Sequence, residues 1–585
     1  MIPVRSYVRI LRKYLRPLRG RVALLAVVAL TGIALQLAGP QLIRAFLDGA
    51  TSGTEVSKLI PLAVWFIGIA VLQQGAKVWA TYLSVDVGWS ATNDLRADLA
   101  EHVLHLDMGF HKEHTPGALI ERIDGDVTAL SNFFSSFTIM VLGNLILVAG
   151  ILVLLWIENW LIGLGVTGFV VLIFSGMVKV QTIAVPRWKA VRARSAELMG
   201  FIGEQLGGTE DIKANGGDRF MIARFTGILR QWLPEQVRGR HGFSMLWAMG
   251  IMTFITGLSV VFFLGAILFN DGVMTLGGVY LVFHYVQMSH DPMEQIRSQM
   301  EDFQKAGAGI ARVEDLLARE SVIGDDGTTP LLAGPLEVDF DDVTFAYNDE
   351  EGDNDRPVLD DLNFTLPKGR VLGVLGRSGS GKSTLARLLT RLYDPQQGAI
   401  RLNGTALSEI PVEDLRHRVA MVTQDVQLFG ASIRDNLTFF DDGVDDDRLH
   451  DVIDQLGLTD WLATLGDGLD SRLEASGSGL SAGQAQLLAF TRIFLRDPGV
   501  VILDEASSRL DPATEELIER AVDRLLRDRT GIIIAHRLAT IERADDILIL
   551  EDGVIVEAGE RATLASDPDS RLSHLLATGL EEVLA

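Results

Sequence analysis

Long apolar runs fill the first half of the chain, and shorter, alternating ones fill the second. Six stretches are long and apolar enough to cross roughly 30 Å of hydrocarbon as helices. They lie near Val22–Leu47, Leu59–Leu83, Phe137–Trp156, Leu161–Val180, Leu246–Phe269 and Leu276–Val286 with its continuation. Their connections alternate in length. Asp48–Lys58, Ile157–Trp160 and Asn270–Thr275 are short and hold a single cation, Lys58. The other two are long, and the second carries Arg187, Lys189, Arg192, Arg194, Lys213, Arg219, Arg224, Arg230, Arg238 and Arg240. Positive charge marks the cytoplasmic side, so the long connections and both termini are expected there.

The long connections keep helical periodicity at Trp89–Leu106 and Ala190–Leu206, which predicts membrane helices continuing into the cytoplasm. Each is broken midway, by Asp107–Phe110 with Thr115-Pro116-Gly117 and by Gly207–Lys213. Such a break is either a plain turn or a segment presented to a soluble domain. Residues 1–21 hold Arg5, Arg9, Arg12, Lys13, Arg16, Arg19 and Arg21 without an acidic residue. With Tyr7, Ile10, Leu11, Tyr14 and Leu15 at helical spacing, they predict an amphipathic helix on an anionic membrane face. A signal peptide fits less well, because no small-residue cleavage site follows and more spans do. The helical pattern persists over Glu301–Leu317, Gly324–Pro330 reads as a linker, and a second domain starts near Leu336.

In that domain, Val371–Leu375 predicts a buried strand and Leu385–Leu392 a helix. Between them stands Gly376-Arg377-Ser378-Gly379-Ser380-Gly381-Lys382-Ser383-Thr384, which fits G-x-x-x-x-G-K-[S/T]. Its three glycines let backbone N–H groups wrap a phosphate at a helix start. Lys382 would reach the β- and γ-phosphates and Ser383 would ligate Mg²⁺. A nucleoside triphosphate is the expected ligand.

Val500–Asp504 is an apolar strand ending in a carboxylate, where a phosphate-loop fold holds Mg²⁺; Glu505 follows as the candidate general base. Leu480-Ser481-Ala482-Gly483-Gln484 precedes a helix, with Ser481 suited either to cap it or to meet the nucleotide of another copy. Tyr347, at the end of the strand-like run Val338–Tyr347, could stack on adenine or pack on the core. His536, ending Ile532–His536, is placed for a γ-phosphate or for a structural role.

Composition narrows the classes. The 585 residues allow two to four domains, and the absence of cysteine excludes disulfides, thiolate metal sites and cysteine nucleophiles. A formal charge of −24 argues against nucleic-acid binding. A mean hydropathy of +0.25 averages a membrane domain with a soluble α/β domain.

In this order the motifs resemble those of the ATP-binding cassette (ABC) transporters, specifically exporter-type half-transporters with six membrane helices ahead of one cassette. Tyr347 matches the adenine-stacking aromatic, Gly376–Thr384 Walker A, Gln424 the glutamine loop and Leu480–Gln484 the signature. Val500–Asp504 matches Walker B, Glu505 the catalytic glutamate, Ser508–Asp511 the D-loop and His536 the switch histidine. Asp107–Phe110 and Thr209–Lys213 fall where such exporters place coupling helices. The resemblance implies an elbow helix over residues 1–21, a helical membrane domain over 22–320, a linker over 321–335 and an α/β phosphate-loop ATPase domain over 336–585.

It also implies catalytic roles for Glu505, His536 and Gln424, and Mg²⁺ bound by Ser383, Gln424 and Asp504. ATP would lie between Gly376, Ser378, Gly379, Ser380, Gly381, Lys382, Ser383 and Thr384 of one cassette and Ser481, Gly483 and Gln484 of a second. Two positions depart from the pattern. Ala482 replaces the middle glycine of the signature, and Ala475 stands where a glutamate is usual, with Glu474 one place off. An intact Glu505 with an altered signature resembles one half of a heterodimer, favoured here over a homodimer. The expected protein is a multi-pass inner- or plasma-membrane exporter of an amphipathic, lipid-like or drug-like substrate. Its N-terminus and cassette would be cytoplasmic. Import of a siderophore-like substrate is the alternative on the same fold; a soluble mechanical or regulatory ATPase is disfavoured by the six spans. Gln41, Arg44, Gln74, Lys77, Asn144, His284, Gln287 and His290 are polar residues in or near the spans that could line a pathway.

Overall fold

The computed structural model describes residues 4–136, 141–347, 357–423, 426–474, 480–504, 512–535 and 538–578. The chain divides into two units. One comprises Met1–Leu104 and Gly117–Arg319; the other comprises His105–Pro116 and Glu320–Ala585.

The first unit is helical. Its elements are α1 (Val4–Leu15), α2 (Arg19–Thr51) and α3 (Val56–His105), whose last residue enters the second unit. After α4 (Met108–Glu113) the chain resumes with α5 (Pro116–Ile120), a π-helical turn at Glu121–Asp126, α6 (Val127–Ser136) and α7 (Asn144–Glu158). Then come α8 (Trp160–Gly207), α9 (Thr209–Ala214), α10 (Asp218–Asn270), α11 (Leu276–Met288) and α12 (His290–Leu317). Among the described residues, α2, α3 and Val141–Glu158 are long and apolar enough to cross a membrane, and Trp160–Leu172 and Phe254–Asn270 are shorter apolar helical segments. The start of the third predicted stretch, at Phe137, lies outside the described residues. The expected continuation of membrane helices holds, since α3, α8 and α10 run unbroken past their apolar parts.

Polar residues tie these helices together. Arg44 of α2 pairs with Glu158 at the end of α7, and its Nε lies 3.7 Å from Asp48. Asp48 accepts from Thr275 Oγ1 at 3.0 Å and from Gly277 N at 2.9 Å, holding the start of α11 against α2. A Cβ at Gly277 would strike both Asp48 Oδ1 and the Arg44 carbonyl, so this close approach needs glycine. Tyr285 of α11 donates to Leu37 O at 2.8 Å and accepts from Gln41 Nε2 at 3.2 Å. Asn144 donates to Gln295 at 2.9 Å. Thus Gln41, Arg44 and Asn144, read from sequence as pathway candidates, bond across helices, a use that low-dielectric surroundings favour.

The amphipathic α1 turns Ile10 and Tyr14 into protein, where both are buried. Lys13 and Tyr14 bond Asp98 of α3 at 2.8 and 2.7 Å. Part of the basic face expected on lipid therefore meets carboxylates of the same chain. The helix ends at Leu15 rather than running to residue 21, and α2 takes over at Arg19.

The second unit holds two sheets. The strands are β1 (Val338–Phe345), β2 (Leu359–Leu366), β3 (Val371–Gly376), β4 (Gln397–Leu402), β5 (Thr405–Ala406) and β6 (Val419–Val422). They continue with β7 (Val500–Asp504), β8 (Thr530–Ile534), β9 (Asp546–Glu551) and β10 (Val554–Glu560). An antiparallel sheet runs β2-β1-β4-β5; the larger runs β10-β9-β3-β8-β7-β6, parallel except for the edge strand β10.

Every residue of β3, β7 and β8 is buried, as a parallel sheet covered on both faces requires. Alternate residues serve opposite faces. Leu372, Val374, Ile502 and Ile532 join the core under the antiparallel sheet with Phe340 and Leu385. Val371, Leu375, Val501 and Ile533 join the other core with Leu487 and Phe490.

The helices of this unit include α13 (Lys382–Leu389), α14 (Val412–Arg418), α15 (Ile433–Thr438), α16 (Asp446–Gln455), α17 (Thr459–Ala463) and α18 (Ala482–Arg496). The linker before β1 is irregular and is pinned to this unit. Thr328 N and Thr329 N both donate to Glu409 O at 3.0 Å, and Asp325 accepts from Val412 N at 2.8 Å.

Candidate nucleotide site

The site is built at the carboxyl ends of the central parallel strands, where open α/β sheets place ligands. β3 delivers the phosphate loop and β7 delivers Asp504, with β8 between them. Val374 and Asp504 both pair with Ile534, so the three stand at one level across the sheet. Two strand spacings, about 10 Å, separate β3 from β7. A triphosphate with a metal ion fits that gap.

The loop is tightly made. Gly379 and Gly381 have φ of 84° and 102°, which favours glycine at both, and a Cβ at Gly381 would strike the Leu359 side chain. Ser380 N donates to Arg377 O at 3.1 Å, closing the turn. α13 begins at Lys382, inside the motif and earlier than the predicted Leu385, so its first N–H groups face the loop. Lys382 is buried, with its Nζ donating to Gly376 O at 2.6 Å and Arg377 O at 3.0 Å. Ser380 Oγ is buried without a hydrogen-bond partner. A buried hydroxyl of this kind demands an acceptor, and a phosphate oxygen supplies one. Ser378 and Gly379 face solvent and Ser383 is half-buried on the first turn of α13. The donor set of a serine hydroxyl and the 9 % exposed Asp504 carboxylate suits a hard divalent cation.

Tyr347 follows β1, half-buried. Its hydroxyl shares a hydrogen bond with Thr384 Oγ1 at 3.1 Å and accepts from Arg387 at 3.0 Å. The ring also meets Phe345 and Tyr393 edge-on, with centroids 4.9 and 5.2 Å away. Burial pushes the Tyr393 phenol above its ordinary value, with the neighbouring Tyr347 adding to it. The structure thus brings Tyr347, the whole phosphate loop and the antiparallel sheet into one arrangement.

The signature segment stands elsewhere in the unit. Ser481 caps α18: its hydroxyl accepts from Gln484 N at 3.2 Å, while Gln484 Oε1 accepts from Ser481 N at 2.9 Å. This reciprocal pair leaves the serine proton available to a further acceptor. Ser481 and Ala482 are exposed and Gly483 is buried, so among the described residues the methyl of Ala482 is not packed into a core. Gln424, Ala475, Glu505, the Ser508–Asp511 segment and His536 lie outside the described residues.

Sequence reasoning missed Arg492. On α18 it is 8 % exposed and donates to Asn436 O at 2.6 Å, Gln427 O at 2.9 Å and Asn436 Oδ1 at 3.0 Å. Burial pulls its guanidinium down to about 10, with Arg496 contributing. Asn436 in turn brackets Phe429 through both its N–H and its carbonyl. Arg492 so fastens the segment from Gln427 to Asn436 to α18, the helix that Ser481 caps. Arginine on an apolar helix face was the available signal.

The description "ABC transporter transmembrane region" matches residues 22–290 and "ABC transporter" matches residues 359–508. The chain is 30% identical over 530 residues to an ATP-dependent lipid A-core flippase of Idiomarina loihiensis, covering 89% of each chain. It is 29% identical to an uncharacterized ABC transporter ATP-binding protein of Bacillus subtilis, across 96% of this chain and 91% of that one. A solved bacterial Atm1-family ABC exporter with ATP bound shares the fold, with a TM-score of 0.81, 24% identity and coverage of 96% of this chain and 98% of that one. Import finds no support in these relatives. One membrane region and one ATPase domain in a single chain make this protein a member of the ABC transporter family, a half-transporter of the ATP-driven exporter type that works as a dimer.

Proposed function

We propose that this chain exports an amphipathic, lipid-like or drug-like substrate, driven by ATP held at the ends of β3 and β7. The observation that carries this reading is the phosphate loop, with a buried unpartnered Ser380 hydroxyl and a lysine turned onto its own carbonyls. Gly376, Ser378, Gly379, Ser380, Gly381, Lys382, Ser383 and Thr384 cradle the phosphates. Tyr347 carries the adenine. Ser383, Gln424 and Asp504 would hold Mg²⁺, which would neutralise charge on the phosphates. Water adds to the γ-phosphorus, the bond to the bridging oxygen breaks, and Glu505 takes the water's proton, leaving ADP and phosphate. His536 hydrogen-bonds the γ-phosphate.

Ser481, Gly483 and Gln484 close the site from the other half of the dimer. A heterodimer is favoured, because Ala482 alters this chain's signature while Glu505 keeps the base. ATP joins both faces only in the closed state, so binding and hydrolysis shift the population between closed and open cassettes. The chain is multi-pass in the inner or plasma membrane, with its N-terminus and ATPase domain cytoplasmic. The short α4 and α9 relay closure to the membrane helices.

An amphipathic substrate is supported by the lipid named for the flippase relatives and by a cavity of about 500 Å³ in the helical unit. Phe169, Leu172, Met252, Val260 and Leu264 line it, with Thr256 as a polar side chain. The test is the hydrolysis rate of the full chain in lipid discs, screened against acylated lipids, lipophilic drugs and ferric siderophores. Stimulation by a lipid or drug, absent in Lys382→Ala, is expected. Stimulation by siderophores alone contradicts the substrate class.

A further inference from the structure

The aromatic ring read as the adenine platform already carries a cation. Lys112, on the last turn of α4, places its Nζ 4.7 Å from the centroid of the Tyr347 ring, over its face. The rest of Tyr347 is committed. Its hydroxyl is held by Thr384 and Arg387, its ring stands nearly perpendicular to those of Phe345 and Tyr393, and it packs on the core beneath the antiparallel sheet. Lys112 covers a face that a base would take.

We infer that Lys112 competes with the nucleotide base for the face of Tyr347, making it a nucleotide-sensing residue on α4. The inference rests on the reading of Tyr347 as the adenine platform. A cation and an adenine ring both take the negative face of an aromatic ring, and one face admits one of them. α4 is anchored independently of that ring. Asp107 caps it through Phe110 N at 3.1 Å and also accepts from Val322 N at 3.0 Å, while Phe110 is buried and stacked on His114 with centroids 4.4 Å apart. Loss of the lysine contact would therefore release one end of α4 and leave its root in place. The base then reports its arrival to the segment joining α3 and α5, through a residue more than two hundred positions from the phosphate loop in sequence.

Nucleotide affinity of the full chain in lipid discs, for wild type, Lys112→Met, Lys112→Arg, Tyr347→Leu and the Lys112→Met/Tyr347→Leu pair, tests this. Inorganic tripolyphosphate serves as the base-free probe. Lys112→Met is expected to tighten ATP roughly two- to fivefold, the range for an exposed cation–π contact, and to leave tripolyphosphate unchanged. Lys112→Arg keeps the wild-type affinity, and in the Tyr347→Leu background Lys112→Met has no effect. Unchanged or weakened ATP binding in Lys112→Met, while Tyr347→Leu still weakens it, overturns the competition and leaves the stacking reading standing. ATP affinity unaltered by Tyr347→Leu removes the stacking reading and the competition with it.

Discussion

The ammonium of Lys382 lies 2.6 Å from the carbonyl oxygen of Gly376, the residue that opens its own loop. A second bond reaches Arg377 O at 3.0 Å. A phosphate must take this charge over from two carbonyls, exchanging neutral acceptors for anionic ones. The lysine's bonds are charge-assisted in both states, but only the phosphate adds the attraction between opposite charges, so the exchange runs towards the nucleotide. Lys382→Ala is expected to lose ATP binding and hydrolysis together, read by a fluorescent ATP analogue and by phosphate release. Retained hydrolysis would remove Lys382 from the phosphates.

Glu505 follows the buried Asp504 directly in sequence. In its proposed role as base it would supply a proton acceptor and no binding contact that ATP needs. Glu505→Gln should keep ATP affinity and lower turnover by about two to four orders of magnitude. Single-turnover hydrolysis measures this, and near-normal turnover at a dimer with no other competent site contradicts it.

Arg492 makes its three bonds to neutral acceptors. Arg492→Met keeps the bulk and strands those acceptors, at a cost of about 2–4 kcal/mol. Thermal unfolding of the full chain should show a lower Tm. The pH response has a definite sign. The folded value of about 10 lies below the ordinary one, so burial of the cation costs stability throughout the range below 10. That cost is relieved only as pH rises past 10. Between pH 6 and 9 this group should contribute no slope.

Much of this was legible in the chain. β3, β7 and the start of α18 sit where periodicity and motif placed them, because a buried parallel strand leaves an unbroken apolar signature and a cap leaves a serine. The unbroken α3 was legible too, since its period survives the change from apolar to charged residues. Its neighbour α2 begins at Arg19 instead of Val22, because hydrocarbon and helix need not start together. The antiparallel sheet was missed apart from β1: β2 carries the adjacent exposed Asp360 and Asp361, which breaks its alternation, and β4 has only Ile400 and Leu402 buried, on either side of the half-buried Arg401. Lys112 on Tyr347 could not have been found, because it depends on a contact across more than two hundred residues that no local pattern records.

The dimer is open to a direct test, because the chain contains no cysteine. Ser378→Cys and Ser481→Cys place thiols on two exposed segments without background reaction. A heterodimer predicts little ATP-dependent crosslinking between copies of this chain expressed alone. Efficient crosslinking, with two equivalent hydrolysing sites and full transport, contradicts it.

Export by this chain is driven by ATP. Its most direct measurement uses the full chain, with the partner it carries, in vesicles whose ATPase domains face outward. A fluorescent acylated lipid is added on that side. ATP-dependent movement of the lipid to the inner leaflet is expected, abolished by Lys382→Ala and strongly slowed by Glu505→Gln. Movement that proceeds equally without ATP, or runs from the inner leaflet to the ATPase side, would contradict it.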